Sequence, residues 1–296
     1  MNVISMVDVW EDLDEILELS SKLKREKSGS QLEKKTLAML FEKVSTRTRV
    51  SFEVGMTQLG GHAIYLEPQS MQLKRGETIK DTAKTLSRYV DCIMVRAYRH
   101  ADVVELGEHA DVPVINGLTD LEHPCQVLSD LFTIGEVKGG FDIKLAYVGD
   151  GNNVCNSLLL GASMVGMDMS VGCPEKYEPD GSIIKKAKGF SKSSGSRIEI
   201  VNDPLEAVSN ADIVYTDVWK SMGDEGEEKR KIDFKDYQVN SNLLKGANNP
   251  LVMHCLPAKR GLEITSDVLD SKNSIVFQQA ENRLHTQKAL LCFLLK

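Results

Sequence analysis

Short apolar runs alternate along most of the chain with longer stretches in which apolar residues recur at every third or fourth position. The runs predict buried strands and the stretches predict amphipathic helices. Their alternation is typical of parallel sheets with helices on both faces. Gly139 and Gly140 separate two such sets of elements. The pattern therefore predicts an α/β fold made of two doubly wound parallel-sheet domains.

The predicted elements also indicate where to look for a functional site. The first set has helices at 9–24, 49–59, 78–89 and 123–133, and strands at 35–41, 63–66, 92–97 and 112–115. The second set has strands at 144–148, 169–172, 197–201, 213–216, 251–254 and 274–277, and helices at 153–165, 185–190, 204–209 and 281–295. Ligands of such folds gather at the carboxyl ends of the strands, so polar residues that follow a strand are the candidates.

The composition is that of a globular protein, with 42% hydrophobic and 27% charged residues in a chain of 296, which is long enough for two domains. We expect no membrane span, because no apolar stretch approaches the roughly 20 residues that a transmembrane helix needs. The N-terminus lacks the features of a signal peptide. Six scattered cysteines without a C-x-x-C pair predict reduced thiols in the cytoplasm and no metal site.

The charge distribution favours a small anionic ligand. A net charge of −7 argues against nucleic acid as a partner, because binding of a phosphate backbone needs a broad basic surface. Arginines nevertheless lie in several predicted site segments, at positions 47, 49, 96 and 283. A locally cationic pocket is one interpretation, and ordinary salt bridges are the alternative for each arginine.

The motif Ser45–Arg49 is the most informative feature of the chain. It reads Ser-Thr-Arg-Thr-Arg, and it follows a predicted strand and opens a predicted helix. Hydroxyls, backbone N–H groups and a guanidinium therefore meet at a helix N-terminus, where the helix dipole favours an anion. The guanidinium also matches phosphate oxygens in a bidentate manner. The alternative is an ordinary N-cap with two solvated arginines.

Three more candidates come from the first half of the chain. Arg96 ends an apolar strand, where a guanidinium needs an anionic or carbonyl partner; a structural ion pair is the alternative. His123 stands at the predicted N-cap before Pro124, and Gln126 lies in the first turn of the same helix. Both side chains can offer a hydrogen bond to a carbonyl oxygen, and a surface cap is the alternative.

The second half offers groups that suit an amino acid. Asp217 ends a strand and can hold an ammonium, while the loop at Ser221 and Met222 can hold a carboxylate; an ordinary turn is the alternative. Cys255 ends the next strand. Its thiol is a candidate for polar interactions at the site, and an inert buried thiol is the alternative. Arg283 lies in the closing helix, from which it can reach a site.

The loop 149–153, Gly-Asp-Gly-Asn-Asn, has glycines like those of a dinucleotide-binding fingerprint. The third glycine of that fingerprint is replaced by Val154, and no acidic residue ends the second strand. Support for a nicotinamide cofactor is therefore weak. The asparagines can instead hold a carboxylate or an ammonium.

Taken in order, these motifs resemble those of ornithine carbamoyltransferases. The resemblance runs from about Lys35 to the C-terminus. The first motif and His-Pro-Cys-Gln are shared by enzymes that use carbamoyl phosphate, whereas Ser-Met-Gly and His-Cys-Leu-Pro indicate ornithine. The motifs are Ser45–Arg49, Gln72–Glu77, His123-Pro124-Cys125-Gln126, Asp217-Val218-Trp219 with Ser221-Met222-Gly223, and His254-Cys255-Leu256-Pro257.

The resemblance implies a role for each matching residue. It implies a carbamoyl phosphate-binding domain at 1–135, an ornithine-binding domain at 136–275, and a C-terminal helix at 276–296 that returns to the first domain. Carbamoyl phosphate would be bound by Ser45, Thr46, Arg47, Thr48, Gln72, Arg96, His123, Pro124, Cys125, Gln126, Cys255, Leu256 and Arg283. Ornithine would be bound by Asn153, Asp217, Ser221 and Met222, and the catalytic residues would be Arg96, His123, Cys255 and Asp217.

The implied activity is transfer of the carbamoyl group from carbamoyl phosphate to the δ-amine of L-ornithine, which gives L-citrulline and phosphate and belongs to arginine biosynthesis. The resemblance also implies a homotrimer, in which Gln72 reaches a neighbour's site, and no cofactor. The sequence leaves anabolic and catabolic roles open. A carbamoyltransferase for another amine such as putrescine, a nicotinamide-dependent dehydrogenase and a non-catalytic anion-binding regulator are the alternatives.

Overall fold

A computed structural model describes residues 1–26, 28–67, 71–219 and 227–296. The chain divides into two compact units. Unit 1 consists of Met1–Phe132 together with Glu281–Lys296, and unit 2 consists of Thr133–Ala280. Among the described residues, no helix is long and apolar enough to cross a membrane.

Unit 1 is built on a parallel sheet of four strands in the order β2-β1-β3-β4. The two central strands are buried along almost their whole length, which explains why each is a nearly continuous apolar run. The elements in chain order are α1 (Leu13–Glu26), β1 (Thr36–Phe41), α2 (Thr46–Gln58), β2 (His62–Leu66), α3 (Ile79–Leu86), β3 (Cys92–Arg96), α4 (His100–His109), β4 (Val114–Leu118) and α5 (Pro124–Lys138).

Unit 2 is built on a parallel sheet of five strands in the order β7-β6-β5-β8-β9. Its elements are β5 (Lys144–Val148), α6 (Asn153–Val165), β6 (Asp168–Gly172), α7 (Gly181–Ser194), β7 (Ile198–Val201), α8 (Pro204–Val208), β8 (Ile213–Thr216), α9 (Glu227–Asp233), α10 (Ser241–Leu244), β9 (Leu251–His254), α11 (Ser266–Leu269) and α12 (Val276–Leu294).

Aromatic packing fixes the part of unit 2 that lies beyond β8. The fully buried ring of Phe234 packs on Trp219, Tyr177 and Tyr237, with ring centroids 5.7, 4.7 and 6.1 Å away. Aromatic rings bury large apolar areas and prefer stacked or edge-on contacts at such distances. This cluster therefore anchors the segment that follows α9 against the loops at the ends of the strands.

The closing helix α12 is tied to unit 1 by a buried lysine. Lys288 is fully buried, and its Nζ donates to the carbonyl oxygen of Leu23 at 3.0 Å and to Oε1 of Gln58 at 3.1 Å. Burial lowers the pKa of this ammonium. A buried ammonium is costly unless it is hydrogen-bonded, so these two contacts fix how α12 lies on α1 and α2.

The predicted α/β fold with two parallel sheets and a C-terminal helix on the first unit is confirmed. The strand predicted at 274–277 is wrong, because α12 begins at Val276 and only Ser274 bridges to Val252 of β9. Val276 is buried and Phe277 exposed, an alternation that suits a strand and a helix equally. Helix α4 was not predicted, since only Val103, Leu106 and Gly107 form its buried face.

Candidate functional site

In unit 1, the end of β1 leads directly into the N-terminus of α2. Ser45 has extended backbone and caps the helix, because its Oγ accepts a hydrogen bond from the N–H of Thr48 at 3.3 Å. The first N–H groups of any helix lack partners within the helix, and the helix dipole gives this end a partial positive charge. A helix end of this kind can bind an anion.

Arg283, on α12, is buried against this segment. Its Nη2 donates to Oγ1 of Thr48 at 3.2 Å, and its Nη1 donates to Oε1 of Gln126 at 2.6 Å. Gln287 follows one turn later, and with its amide oxygen turned toward the guanidinium it accepts from Nε at 3.1 Å and from Nη2 at 2.8 Å. The guanidinium is therefore held in one orientation by side chains from three helices.

His123 lies beside the same cluster and is buried. Burial lowers the pKa of its imidazole well below the ordinary value of 6.5, and the nearby charges of Arg283, Arg96 and Arg47 lower it further. Arg96 ends β3 and is also buried. The charges of three guanidinium groups thus reach one buried imidazole in unit 1.

Three residues of the predicted motifs face elsewhere. The thiol of Cys125 donates to the backbone oxygen of Asn116 on β4, and burial raises its pKa to about 11. Arg49 is exposed, pairs with Glu53 at 3.3 Å and lies over the ring of Tyr65. Gln72 is exposed in a short 3₁₀ helix, Gln72–Arg75.

In unit 2, the carboxylate of Asp217 gathers three hydrogen-bond donors at the ends of the strands. Its Oδ1 accepts from Sγ of Cys255 at 3.0 Å and from the N–H of Val218 at 2.8 Å. Its Oδ2 accepts from Nδ2 of Asn152 at 2.8 Å. Asp217 is buried and Cys255 is half-buried.

The glycine-rich loop after β5 positions Asn152. A Cβ on Gly151 would lie 2.3 Å from the backbone nitrogen of Pro179, so the segment before α7 packs directly on this glycine. The Oδ1 of Asn152 caps α6 by accepting from the N–H groups of Val154 and Cys155. Asn153 is buried in the first turn of that helix. Ser221 and Met222 lie outside the described residues.

His254, the last residue of β9, fixes the loop that carries Cys255. Its Nδ1 accepts from the N–H of Leu256 at 2.8 Å, which leaves Nε2 to carry the proton and to donate to Glu263 at 3.1 Å. Both side chains are fully buried. Leu256 has a backbone φ of +57°, and the hydrogen bond from its N–H helps to hold that turn.

The sequence predicted no metal site, yet three possible ligands meet in unit 2. Possible ligand atoms of Asp217, His254 and Cys255 lie within 4.8 Å of one another. These three side chains form the group of possible metal ligands that is found among the described residues. Such a mixed set of donors suits zinc in principle. Both ring nitrogens of His254 are engaged in hydrogen bonds, so a metal ion could recruit this imidazole only by breaking one of them.

Sequence reasoning named both asparagines of the loop after β5 as candidates, and the structure shows that Nδ2 of Asn152 donates to Asp217. Sequence reasoning did not find Asp150, Arg230 and Asp130. Nη1 of Arg230 pairs with the carboxylate of Asp150 at 2.6 Å and also donates to the backbone oxygen of Trp219. Asp130, which accepts from Gln126 at 2.9 Å, gave no signal beyond lying one turn after it.

Comparison with known proteins gives a consistent result for both units. Residues 2–136 match the family model of the aspartate/ornithine carbamoyltransferase carbamoyl-P binding domain. Residues 141–294 match the model of the Asp/Orn binding domain of the same family.

Whole-chain relatives agree with the family models. Ornithine carbamoyltransferases from Methanobrevibacter smithii and Picrophilus torridus are 56% and 53% identical, covering 100% and 99% of this chain and 99% of each relative. The solved structure of ornithine carbamoyltransferase from Pyrococcus furiosus matches with a TM-score of 0.97 at 52% identity, covering 100% of this chain and 97% of that one. The chain belongs to the aspartate/ornithine carbamoyltransferase family, as an ornithine carbamoyltransferase.

Proposed function

We propose that the chain transfers the carbamoyl group of carbamoyl phosphate to the δ-amine of L-ornithine, giving L-citrulline and phosphate. The observation that carries the proposal lies in unit 1, where Arg283 donates to Thr48 in the first turn of α2 and to Gln126. The charges of Arg283, Arg96 and Arg47 also act on the buried His123. A strongly anionic substrate with a polarised carbonyl group suits such a cluster. The match of this unit to a carbamoyl-P binding model supports the same substrate.

The phosphate group would bind at the N-terminus of α2. Ser45, Thr46 and Thr48 offer hydroxyl and backbone donors, and Arg47 offers a bidentate fork for two phosphate oxygens. Arg283 already donates to Oγ1 of Thr48, so its positive charge would lie near the phosphate oxygens. Gln72 is exposed in unit 1, and we assign it to the site of a neighbouring copy.

The carbonyl oxygen of the substrate would face Arg96, His123 and Thr48. Negative charge develops on this oxygen when the amine attacks, and donors fixed in advance stabilise it by about 3 kcal/mol each. A neutral imidazole keeps one N–H to donate, so the depressed pKa of His123 is compatible with this role. Gln126 would face the amide end of the carbamoyl group. Pro124 and Cys125 would contribute through the backbone that begins α5.

Ornithine would bind to unit 2, which matches the Asp/Orn binding model. Asp217 and Cys255 form a hydrogen-bonded pair that can receive the δ-amine, and Leu256 lines the same end. Asn153, Ser221 and Met222 would hold the amino-acid head. An alkyl ammonium ordinarily titrates near 10.4, so binding must favour the neutral amine, which alone is nucleophilic.

The reaction needs no covalent enzyme intermediate. The δ-nitrogen forms a bond to the carbonyl carbon, the carbon–oxygen bond to phosphate breaks, and the leaving phosphate accepts the proton that the amine gives up. Positioning of two substrates can supply roughly 7–11 kcal/mol of the barrier. Side chains and backbone groups suffice for these steps, so we propose that no cofactor takes part.

We extend the proposal to arginine biosynthesis in the cytoplasm. The six cysteines, all within the described residues, form no disulfide, as is usual for reduced thiols. Relatives with either role are known: the protein from Thermoplasma acidophilum, 52% identical, is named catabolic, and the solved structure from Campylobacter jejuni, 38% identical, is named anabolic.

We also propose that the chain forms a homotrimer through unit 1. Val50 and Val54 on α2 and Ile64 on the edge strand β2 are exposed apolar side chains. Arg49 stacks on Tyr65, which brings the start of α2 next to β2 and makes this surface continuous. A cavity of about 680 Å³ at the carboxyl ends of β1, β2 and β3 adds further apolar surface in the same unit. Apolar patches and free sheet edges of this kind are usually covered by another chain.

An assay with a series of amines tests the proposed reaction. With carbamoyl phosphate, we expect L-ornithine to give citrulline and phosphate in equal amounts, and putrescine, N-acetyl-L-ornithine and L-aspartate to react at least about 10²-fold more slowly. N-Acetyl-L-ornithine is included because a solved relative, 32% identical, is an N-acetyl-L-ornithine transcarbamylase. A product formed fastest from one of the other amines would replace ornithine as the substrate.

The phosphate site is tested with two arginine variants. Arg47→Ala should reduce citrulline formation by about 10²–10³-fold, because a donor to the phosphate is lost, and should leave the circular dichroism spectrum unchanged. The matched control is Arg25→Ala, which removes an exposed guanidinium of α1 that contacts only Ser21 among the hydrogen bonds described. Full activity of Arg47→Ala would refute the assignment.

The neutral state of His123 has a consequence for stability. Its pKa lies well below 6.5 in the folded chain, so below about pH 6.5 the unfolded chain binds more protons. This group should therefore lower the free energy of unfolding by up to about 1.4 kcal/mol for each pH unit below 6.5, and should contribute nothing above it. Urea unfolding between about pH 5.5 and 7.5 measures this slope, and His123→Gln should remove it. Parallel curves for the two proteins would contradict the prediction.

Analytical ultracentrifugation tests the trimer. We expect a particle of three times the 32.8 kDa of one chain. Ile64→Lys should weaken the association, because it places a charge in the proposed apolar surface, whereas Ile232→Lys changes an equally apolar exposed residue of unit 2 and should not. A monomeric wild-type chain, or trimers that Ile64→Lys leaves intact, would argue against this surface.

A further inference from the structure

Asp130 is a buried carboxyl group for which the reaction described above has no use. It lies in α5, with no exposed surface, in a stretch of the helix whose other side chains are also buried. Burying a carboxyl group costs free energy unless hydrogen bonds replace those to water. An apolar side chain at this position would avoid that cost, so the hydrogen bonds of Asp130 indicate its role.

The contact that matters is with Gln126, one turn earlier on the same face of the helix. Nε2 of Gln126 donates to Oδ1 of Asp130 at 2.9 Å, while Oε1 of Gln126 accepts from Nη1 of Arg283 at 2.6 Å. Rotation of a glutamine amide by half a turn about its last side-chain bond exchanges the oxygen and the nitrogen with little change of shape. Here the other orientation would set two acceptors against each other on one side and two donors on the other. The amide of Gln126 therefore has one allowed direction.

This direction has a chemical consequence in the proposed carbamoyl phosphate site. The groups gathered there, the three guanidiniums and the N-terminus of α2, are all hydrogen-bond donors. The phosphate and carbonyl oxygens of the substrate can use such donors, but its amide NH₂ needs an acceptor. Oε1 of Gln126 is an acceptor in the cluster, and an oxygen with two lone pairs can serve Arg283 and the substrate together.

We propose that Asp130 is a positioning residue, which fixes the amide of Gln126 with its oxygen toward the substrate and so lets the site distinguish a carbamoyl NH₂ from a methyl group. The inference rests on the proposed function. Asp130 does not touch the substrate in this account. It acts through Gln126, and its effect should appear in the selection of the ligand rather than in the binding of phosphate.

Two stable analogues that differ only in this group provide the test. Phosphonoacetamide ends in an amide NH₂, and acetonylphosphonate carries a methyl group in its place. By calorimetry, we expect the wild-type chain to bind phosphonoacetamide about tenfold more tightly than acetonylphosphonate. This ratio corresponds to the free energy of about one good hydrogen bond. Asp130→Leu, which has no acceptor for Nε2 of Gln126, should reduce this preference to about threefold or less. The affinity for inorganic phosphate should not change.

Variants separate positioning from a general structural role. Asp130→Asn keeps an acceptor oxygen and should retain the wild-type preference. Gln126→Met should lose the preference, and adding Asp130→Leu to it should cause no further loss, because the two residues act through one hydrogen bond. If Asp130→Leu does not fold, Asp130→Ala provides the same measurement with a smaller side chain.

Three outcomes would overturn the inference: an unchanged preference in a folded Asp130→Leu protein, an equal loss of preference in Asp130→Asn, or a loss of phosphate affinity as large as the loss of preference. Equal binding of the two analogues by the wild-type chain would also overturn it, even if citrulline is formed. A wild-type chain that forms no citrulline from ornithine overturns the proposed function instead, and the two failures are thereby distinguished.

Discussion

The arrangement on which the rest of the account depends is the crowding of positive charge around a buried, neutral imidazole. Arg47, Arg96 and Arg283 all lower the pKa of His123, so all three lie within electrostatic reach of it. Like charges in a poorly solvated place repel one another strongly. Hydrogen bonds to Thr48 and Gln126 hold one of the three guanidiniums, that of Arg283, in place. A bound phosphate group, as proposed here, would relieve this repulsion.

The two units offer different kinds of polar group. Unit 1 offers guanidiniums, a helix N-terminus and a neutral imidazole, which suit an anionic substrate and a developing oxyanion. Unit 2 offers the carboxylate of Asp217, fixed by Asn152 and Cys255, which suits an amine. In both units the decisive side chains follow parallel strands or begin the next helix. The fold thus supplies the direction of each group, and the local sequence supplies its chemistry.

Much of the fold could be predicted from the pattern of apolar residues. Strands β5, β8 and β9 and helix α6 begin and end where predicted, because a polar residue, a glycine or a proline stands at each end of their apolar segments. Helix α4 was missed because its apolar face is narrow. The predicted strand at 274–277 was wrong because three apolar residues in a row fit the start of α12 equally well.

The site was less accessible to sequence reasoning, for a physical reason. Each sequence motif covers the residues of one short segment. The geometry of the site depends on contacts between segments that are far apart in the sequence. Arg283 and Thr48 are 235 positions apart, and Asp217 and Asn152 are 65 apart. Gln126 could be named as a candidate from its place in a helix, but the direction of its amide depends on Asp130 and on Arg283 together. No periodicity or propensity encodes such a direction.

We propose above all that the N-terminus of α2 binds the phosphate group of the substrate. A crystal structure of the chain with phosphonoacetamide tests it most directly. We predict phosphonate density against the backbone of Ser45–Thr48 and the guanidinium of Arg47, with the amide of the ligand turned toward Oε1 of Gln126. Density at any other place, with the N-terminus of α2 left without a ligand at a saturating concentration, would contradict the account.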